Sequence, residues 1–530
     1  MLQTASATGV PVDLDTVAAQ TFSSTVCIVG AGIAGLVLAM RLAEEGVQVH
    51  LLEAGGLEQE DRSQAFYQTE QPADLHTGAH DGRFRTFGGS STRWGGQLLP
   101  FTPDIFAPAA GCPSRPWPIA SEDIEPHYEA IRELFQVDDL PFDAALLPAL
   151  GHAAVPFSPG FALRFSKWAP FHRRNLARTL GPQALRHPGI TVFTHANVAA
   201  LAGDTACITH AHALNYGGDE FRFEARHFVV ATGTIESSRL LLLSPGVPNP
   251  HDQTGRFFND HLSFQAGSYT IAARQPMLRA LGPFFVDGTL HTCKIEASAD
   301  TRARENLLAC MAHVTVQEPE DSGTAAIRNL LRSVQRGDLK QAVSSNLLPM
   351  LRGAGDVFRL LYQARIQRRR AVSTRAQVWL NIDVEQAPDP ENRIRLSAER
   401  DALGLPKALV DWRVNPPEQE TAVRFAHLLR PELERLGLAP SAWNPGVGFE
   451  TAGAEHPPPM VDTYHSMGGL CMGTDPAHSV VDPQLRVHGL ENLHVASCAV
   501  FPSGSSSNPT FTLIALTLRL ARHLANQLKP

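Results

Sequence analysis

Two stretches of this 530-residue chain combine residue types with spacings that support chemistry. The first is Gly30-Ala31-Gly32-Ile33-Ala34-Gly35, which follows an apolar run and opens a helical pattern. In such a fingerprint the first glycine permits a tight turn, the second lets a pyrophosphate approach the backbone, and the third lets helix and strand pack closely. The helix N-terminus adds amide donors and the positive end of a dipole for the phosphates. Glu53, followed by Ala54, ends the next apolar run 23 residues after Gly30, where a carboxylate can accept bonds from ribose hydroxyls. Strand, helix and acid in register predict a dinucleotide site, without separating FAD from NAD. The second stretch pairs His465, in His465-Ser466-Met467-Gly468-Gly469-Leu470-Cys471-Met472-Gly473, with Asn508-Pro509-Thr510, which opens an apolar helical run. An imidazole, with an ordinary pKa of about 6.5, suits a general base. A carboxamide orients a hydroxyl without titrating. Each residue alone also reads as structural: His465 as one of 22 histidines, Asn508 as the neighbour of a helix cap.

The elements that must position these residues are legible from periodicity. Strands are predicted at Thr25–Val29 and Val47–Leu52 around a helix from Ile33 to Glu45, the opening of a parallel α/β sheet. Residues 78–118, rich in Gly, Pro, Arg and Trp, read as a long ordered loop, and Ser121–Phe135 as a helix capped by Ser121. Further strands are expected at Ile190–Phe193, His227–Ala231 and Leu493–Ala496, with a helix from near Ile235 and a closing one from Thr510 to Gln527. Short alternating runs over 262–320 predict a separate, more antiparallel sheet. Gln377–Val384 and Arg393–Leu396 read as two strands joined by the turn-rich Pro388-Asp389-Pro390-Glu391-Asn392.

Composition narrows the function. With 45 basic and 53 acidic residues the net charge is −8, against the net basic face of a general nucleic-acid binder. Seven scattered cysteines with no CxxC pair fit neither a disulfide framework nor a zinc module, so no metal site is expected. They read as reduced, buried thiols of a cytoplasmic protein. The apolar run Val26 to Met40 is broken by three glycines and is too short to span a bilayer, so no transmembrane segment is expected. Between Arg328 and Arg375 eleven Lys/Arg face two Asp. That stretch reads as a solvated helical face, as a subunit interface in a homo-oligomer, or as a surface for membrane or acidic partners.

The His465 block, Val480-Val481-Asp482, Val487-His488-Gly489-Leu490-Glu491-Asn492-Leu493-His494-Val495-Ala496 and Asn508-Pro509-Thr510 together resemble the C-terminal segment of the glucose–methanol–choline (GMC) flavin oxidoreductases. Arg85-Thr86-Phe87-Gly88-Gly89-Ser90-Ser91-Thr92-Arg93-Trp94-Gly95-Gly96 resembles that family's glycine-rich loop over the flavin. Val229-Val230-Ala231-Thr232-Gly233 resembles its second flavin strand, and Gly255-Arg256 with Asp260-His261 the start of its substrate domain. The resemblance implies an α/β fold: a Rossmann-like FAD domain from residues 21–118, 186–261 and 456–530. A sheet-based α+β substrate domain, 119–185 and 262–455, would be inserted in it, with the basic helical insertion at 325–375.

It implies FAD held by Gly30, Gly32, Ile33, Ala34, Gly35, Glu53 and Ala54, by Arg85, Gly88, Gly89, Ser90, Thr92 and Gly95, and by the backbone of Val198 at the adenine. Ala231, Thr232, Gly233, Ala496, Ser497, Asn508, Pro509 and Thr510 complete the set, while Trp94 either walls the flavin or belongs to the core. Arg93 stands where covalent relatives carry the histidine that bonds the flavin, so the resemblance implies noncovalent FAD.

His465 matches the family's catalytic histidine and Asn508 its partner position. Within the family, Glu385-Gln386-Ala387-Pro388, Asn392-Arg393-Ile394 and the Thr92-Arg93-Trp94 loop look closest to the pyranose-oxidase branch. The expected reaction is oxidation of a sugar or glycoside ring hydroxyl to a keto group, with hydride passing to flavin N5 and the electrons to oxygen or a quinone-type acceptor. The alternatives are a non-sugar alcohol as substrate, a flavin-dependent lyase on the same fold, and a flavin-binding docking protein that uses the basic stretch.

Overall fold

In a computed structural model of the chain, the described residues are 9–151, 153–336, 369–370, 372–373, 375–448 and 459–529. Two large sheets and a small one organise them. The first, of eight strands, is mixed. Its parallel centre runs through Ile190–Thr194, Val49–Leu52, Thr21–Val29 and Glu220–Val230, with Leu493–Val495 alongside the last. Val26, Cys27, Ile28 and Val29 are all buried, as expected of a strand covered on both faces. The helix Ile33–Glu44 returns the chain from the first strand to the second and packs against the C-terminal helix Thr510–Leu528. The two ends of the sequence thus meet over one core, which sets the glycine turn and the Asn508 segment near one another. Among the described residues no helix is long and apolar enough to cross a membrane.

The second sheet has nine strands, with every pairing antiparallel. Its centre is Phe161–Trp168, Thr289–Ala297, Cys310–Gln317, Gln377–Glu385 and His261–Tyr269. Alternation gives it two unlike faces. Phe165, Ile295, Ala312, Ile382 and Phe264 join a core completed by Phe425 and Leu429 of the helix Pro416–Arg435. The opposite face carries polar and charged side chains.

The structure adds detail to the sequence reading and, at the helix expected from Ser121, departs from it. Gln377–Glu385 and Arg393–Arg400 are both strands, but the turn between them carries the chain out of the antiparallel sheet. Arg393–Arg400 pairs instead with Pro406–Asp411 in a three-stranded sheet. The helix expected from Ser121 begins only at Tyr128, after short turns at Ser121–Asp123 and Glu125–His127. Pro126 has no amide to donate and biases Glu125 away from helical geometry. Ser121 bonds the Glu122 carboxylate (3.2 Å) instead of capping, and the Asp123 carboxylate accepts the Ala120 amide (2.9 Å). Segment 119–185 serves both cores, since Ile131 and Phe135 pack with the mixed sheet and Leu163 and Phe165 with the antiparallel one. Gln97–Leu98 pairs with the antiparallel sheet as well. Of the basic stretch, the helix Gly323–Arg336 is described, and residues 337–368 lie outside the described residues.

Candidate functional site

A cleft runs along the ends of the parallel strands, lined by Gly30, Gly32, Ile33, Ala34, Glu53, Ala54, Arg85, Gly89, Ser90, Val198, Ala231, Thr232, Gly233, His465, Ala496, Ser497, Pro509 and Thr510. The glycines explain its shape. Gly30, at φ +102°, sits where a Cβ would meet the Ala231 carbonyl oxygen at 2.6 Å, and a Cβ on Gly35 would meet the Gly30 carbonyl oxygen at 1.9 Å. Gly32 faces open space, with nothing within 4 Å of an added Cβ. It begins the Ile33–Glu44 helix with no side-chain cap, so the helix amides remain available to a ligand.

Glu53 is buried and accepts the amides of Gly55 (2.9 Å) and Ala31 (3.1 Å). Burial pushes its carboxyl up, against those two bonds and the Arg85 guanidinium. Arg85 donates to Asn197 Oδ1 at 2.7 Å, while its buried Nε has no partner among the described residues. An open glycine, uncapped helix amides, a buried acceptor and an unused guanidinium donor are what a dinucleotide requires. These residues therefore fit FAD.

Six residues of the expected cofactor set stand off the cleft lining: Gly35, which packs on Gly30, Asn508, which bonds His465, and Gly88, Thr92, Trp94 and Gly95. Thr92 donates to the Gly89 carbonyl (2.8 Å), and Gly88 holds a left-handed turn at φ +90°. Gly95 lies so close to Trp168 that a Cβ would sit 2.9 Å from its ring. Of the two readings of Trp94, the structure supports the core: its indole donates to the Arg174 carbonyl (2.8 Å) and packs edge-on to Phe135.

The reactive end is a hydrogen-bonded chain. His261 Nε2 lies 3.0 Å from the Gly504 carbonyl, which can only accept, so that nitrogen carries a proton. In the neutral ring His261 Nδ1 is then an acceptor, and His465 Nδ1–H, 3.0 Å away, donates to it and to Thr463 Oγ1 at 2.8 Å. His465 Nε2 keeps its lone pair and accepts from Asn508 Nδ2 at 2.9 Å. Burial, with His261 beside it, pushes His465 down to about 4, against the opposing pull of Asp260. At neutral pH it is an uncharged imidazole with a usable lone pair beside a fixed amide.

Two buried carboxylates brace this chain, and neither was expected to do so. Asp260 accepts the backbone amides of His261 (2.7 Å) and His465 (2.9 Å) and the Nε2 proton of His76 (3.1 Å). Burial alone would push its carboxyl up; the His76 bond and the imidazoles of His465 and His261 bring it below the ordinary range. Glu385 accepts the amides of Gly504 (2.8 Å) and Ser505 (3.2 Å), fixing the carbonyl that orients His261. The Asp260-His261 dipeptide carried a signal, because an acid beside a histidine can hold another segment. Glu385 gave none, its partners lying 119 and 120 residues away.

The chain is similar to known proteins over most of its length. The GMC oxidoreductase family model matches residues 388–517, and the FAD dependent oxidoreductase model matches 25–254, together two thirds of the chain. The chain is 24% identical to the fructose dehydrogenase large subunit of Gluconobacter japonicus over 96% of this chain and 99% of that protein. It is 23% identical to paromamine 6'-oxidase of Streptomyces fradiae over 95% and 91%. The solved structure of pyridoxine 4-oxidase from Mesorbium loti shares the fold at a TM-score of 0.56 and 17% identity, covering 95% of this chain and 99% of that one. With the glycine cradle and the His465–Asn508 pair in one fold, the chain joins an FAD dependent oxidoreductase domain to a GMC oxidoreductase C-terminal domain.

Proposed function

We propose that this enzyme oxidises a ring or side-chain hydroxyl of a sugar or glycoside to a carbonyl, with His465 as the base. The carrying observation is the 2.9 Å contact between Asn508 Nδ2 and His465 Nε2, which marks the place of the reacting hydroxyl. When bound, FAD supplies a hydride acceptor at its N5. His465 Nε2 takes the hydroxyl proton, its Nδ1–H anchored on Thr463 and His261 so that its lone pair, turned to Asn508 Nδ2, points to the place the hydroxyl takes between them. Asn508 orients the hydroxyl oxygen. Thr510, at the uncapped start of the C-terminal helix and on the cleft, offers an amide to negative charge. The names of the two full-length relatives, one a fructose dehydrogenase subunit and one a paromamine oxidase, support a carbohydrate substrate.

The electrons leave to oxygen or to a quinone-type acceptor. The mixed-sheet half holds FAD through the cleft residues named above, and the antiparallel half closes over the substrate. FAD is held noncovalently, since Arg93 cannot form the histidyl bond of covalent relatives; acid precipitation should leave free flavin in the supernatant. The seven cysteines, all unbridged, support a cytoplasmic setting.

The test is anaerobic mixing of the purified flavoprotein with monosaccharides, glycosides and plain alcohols. Flavin bleaching by a sugar supports the reading. Bleaching by plain alcohols alone moves the substrate class, and product without bleaching indicates lyase chemistry.

A further inference from the structure

The antiparallel sheet turns an unusual surface towards His465. The face that carries His261 also carries Ser263 on the same strand, Asp383 and Glu385 on the next, His313 on the third, Lys294 on the fourth and Arg164 on the fifth. The strand register places His261 opposite Glu385, Ser263 opposite Asp383, and Lys294 opposite Arg164. Ile295 pairs with Ala312 on the core face, so their neighbours Lys294 and His313 share the polar one.

These side chains are withdrawn from solvent: Lys294 is 4% exposed, Arg164 6% and Asp383 9%. A buried polar sheet face is costly unless it has polar partners. Arg164 has them in Glu296 (3.5 Å) and the Pro100 carbonyl (2.7 Å), and Asp383 accepts from His313 Nε2 at 2.9 Å. Lys294 does not: among the described residues its ammonium makes no hydrogen bond and no ion pair. Lys294 and Asp383 share the sheet face on which His261 reaches His465 Nδ1 at 3.0 Å.

We infer that Lys294, with the His313–Asp383 pair, forms the hydroxyl-binding wall of the substrate site and selects a polyhydroxylated ring over a plain alcohol. This rests on the carbohydrate reading above. The ammonium offers up to three donors and no acceptor, and the carboxylate offers acceptors. Ring hydroxyls can do both, so a sugar can satisfy the two charges together. An alkyl alcohol would leave the ammonium buried and unpaired. Burial pulls Lys294 down, and the Asp383 carboxylate opposes that pull. Lys294 lies three strands from the His261 strand, on the same face, so the wall meets the substrate away from the reacting carbon and acts on binding rather than on proton transfer.

The experiment is single-turnover anaerobic flavin reduction with D-glucose, D-fructose, methyl α-D-glucopyranoside, their monodeoxy analogues and cyclohexanol, for wild type and Lys294→Met. For the best sugar, Lys294→Met should raise the half-saturation concentration by about 10- to 100-fold while the limiting rate falls less than threefold, the loss expected of a charged hydrogen bond. For one monodeoxy analogue the mutation should cost nothing further, identifying the hydroxyl held. A half-saturation concentration within threefold of wild type for every sugar overturns the inference while leaving sugar oxidation intact. A wild-type enzyme that no sugar reduces removes the carbohydrate reading, and the wall with it. Should Lys294→Met fail to retain flavin, the half-buried His313→Gln carries the test on the same thresholds.

Discussion

The glycine turn and the His465 pocket use side chains in opposite ways. At the turn, function comes from side chains that are missing: Gly35 lets the helix touch the strand, and Gly32 leaves room for a ligand beside uncapped amides. Its parts lie within a few dozen residues, Gly30 to Glu53. At the pocket, function comes from side chains that are present and held by others. Asp260, His261, Glu385, His465 and Asn508 arrive from four separate segments. A cradle made of backbone tolerates no added atom, whereas a pocket made of side chains can lose one and keep its fold. Substitutions on the two sides should therefore fail differently.

The largest effect belongs to the cradle. Gly35→Ala places a Cβ 1.9 Å from the Gly30 carbonyl oxygen, a clash with backbone that no rotamer relieves. The variant should yield no soluble flavoprotein, measured as the ratio of flavin to protein absorbance after purification. A yellow Gly35→Ala enzyme would show that the backbone cradle accepts an added atom.

On the pocket side, His465→Ala should stay yellow and lose about 10²- to 10⁴-fold in the rate of flavin reduction. His465 is pushed down to about 4, so its lone pair is free above that value and taken below it. The wild-type rate should be flat through neutral pH and fall as pH drops through about 4, and His465→Ala should lack that limb. The groups facing the imidazole are His261, Thr463 and Asn508, with Asp260 beneath its amide and Asp383 and Lys294 farther off. A full-rate His465→Ala enzyme under saturating anaerobic conditions would leave the mechanism without its base.

What the sequence disclosed follows the same division. Strand, turn, helix and Glu53 were legible because their constraints are local: periodicity, glycine spacing and an acid at a fixed offset. His465 and Asn508 were legible through the family resemblance of their surroundings. The proton chain was not, because it depends on His261 meeting His465 across 204 residues and on a carbonyl at Gly504 fixing the tautomer. The break before Tyr128 was written in Pro126 but outweighed by the helical periodicity around it. The polar face of the antiparallel sheet was also hidden, since alternation shows that a strand has two faces without showing which one is covered.

Asp260→Asn should have a middle-sized effect and separates bracing from plain structure. The substitution keeps a carbonyl oxygen for the His465 amide but removes the charge that holds His76. The rate of flavin reduction should fall by roughly 10-fold with flavin retained, the scale of a lost charged hydrogen bond. Asp260 raises the His465 pKa in the wild type, so without its charge the acid limb should move below about 4. A slower enzyme with an unmoved limb would make Asp260 a packing residue only.

The smallest effect returns to the cradle, at the one side chain it relies on. Glu53→Ala removes an acceptor from the ribose and leaves the Ala31 and Gly55 amides without their partner. FAD retention should weaken by about 1.5–3 kcal/mol, the range for a hydrogen bond to a charged group. The sugar preference should stay in place, because Glu53 bonds none of the residues around His465. Burial raises the Glu53 carboxyl above its ordinary value. In the apo-protein the group therefore contributes stability at pH below its unfolded pKa, and that contribution is lost as pH rises through the folded value. Glu53→Gln, which cannot ionise, should remove this dependence, so the melting temperature of apo wild type should fall towards neutral pH more than that of apo Glu53→Gln. Added FAD should narrow the gap if ribose hydroxyls donate to the ionised carboxylate. Equal pH dependence in the two apo-proteins, or flavin occupancy in Glu53→Ala unchanged after dialysis, would show that backbone and glycines alone make the cradle.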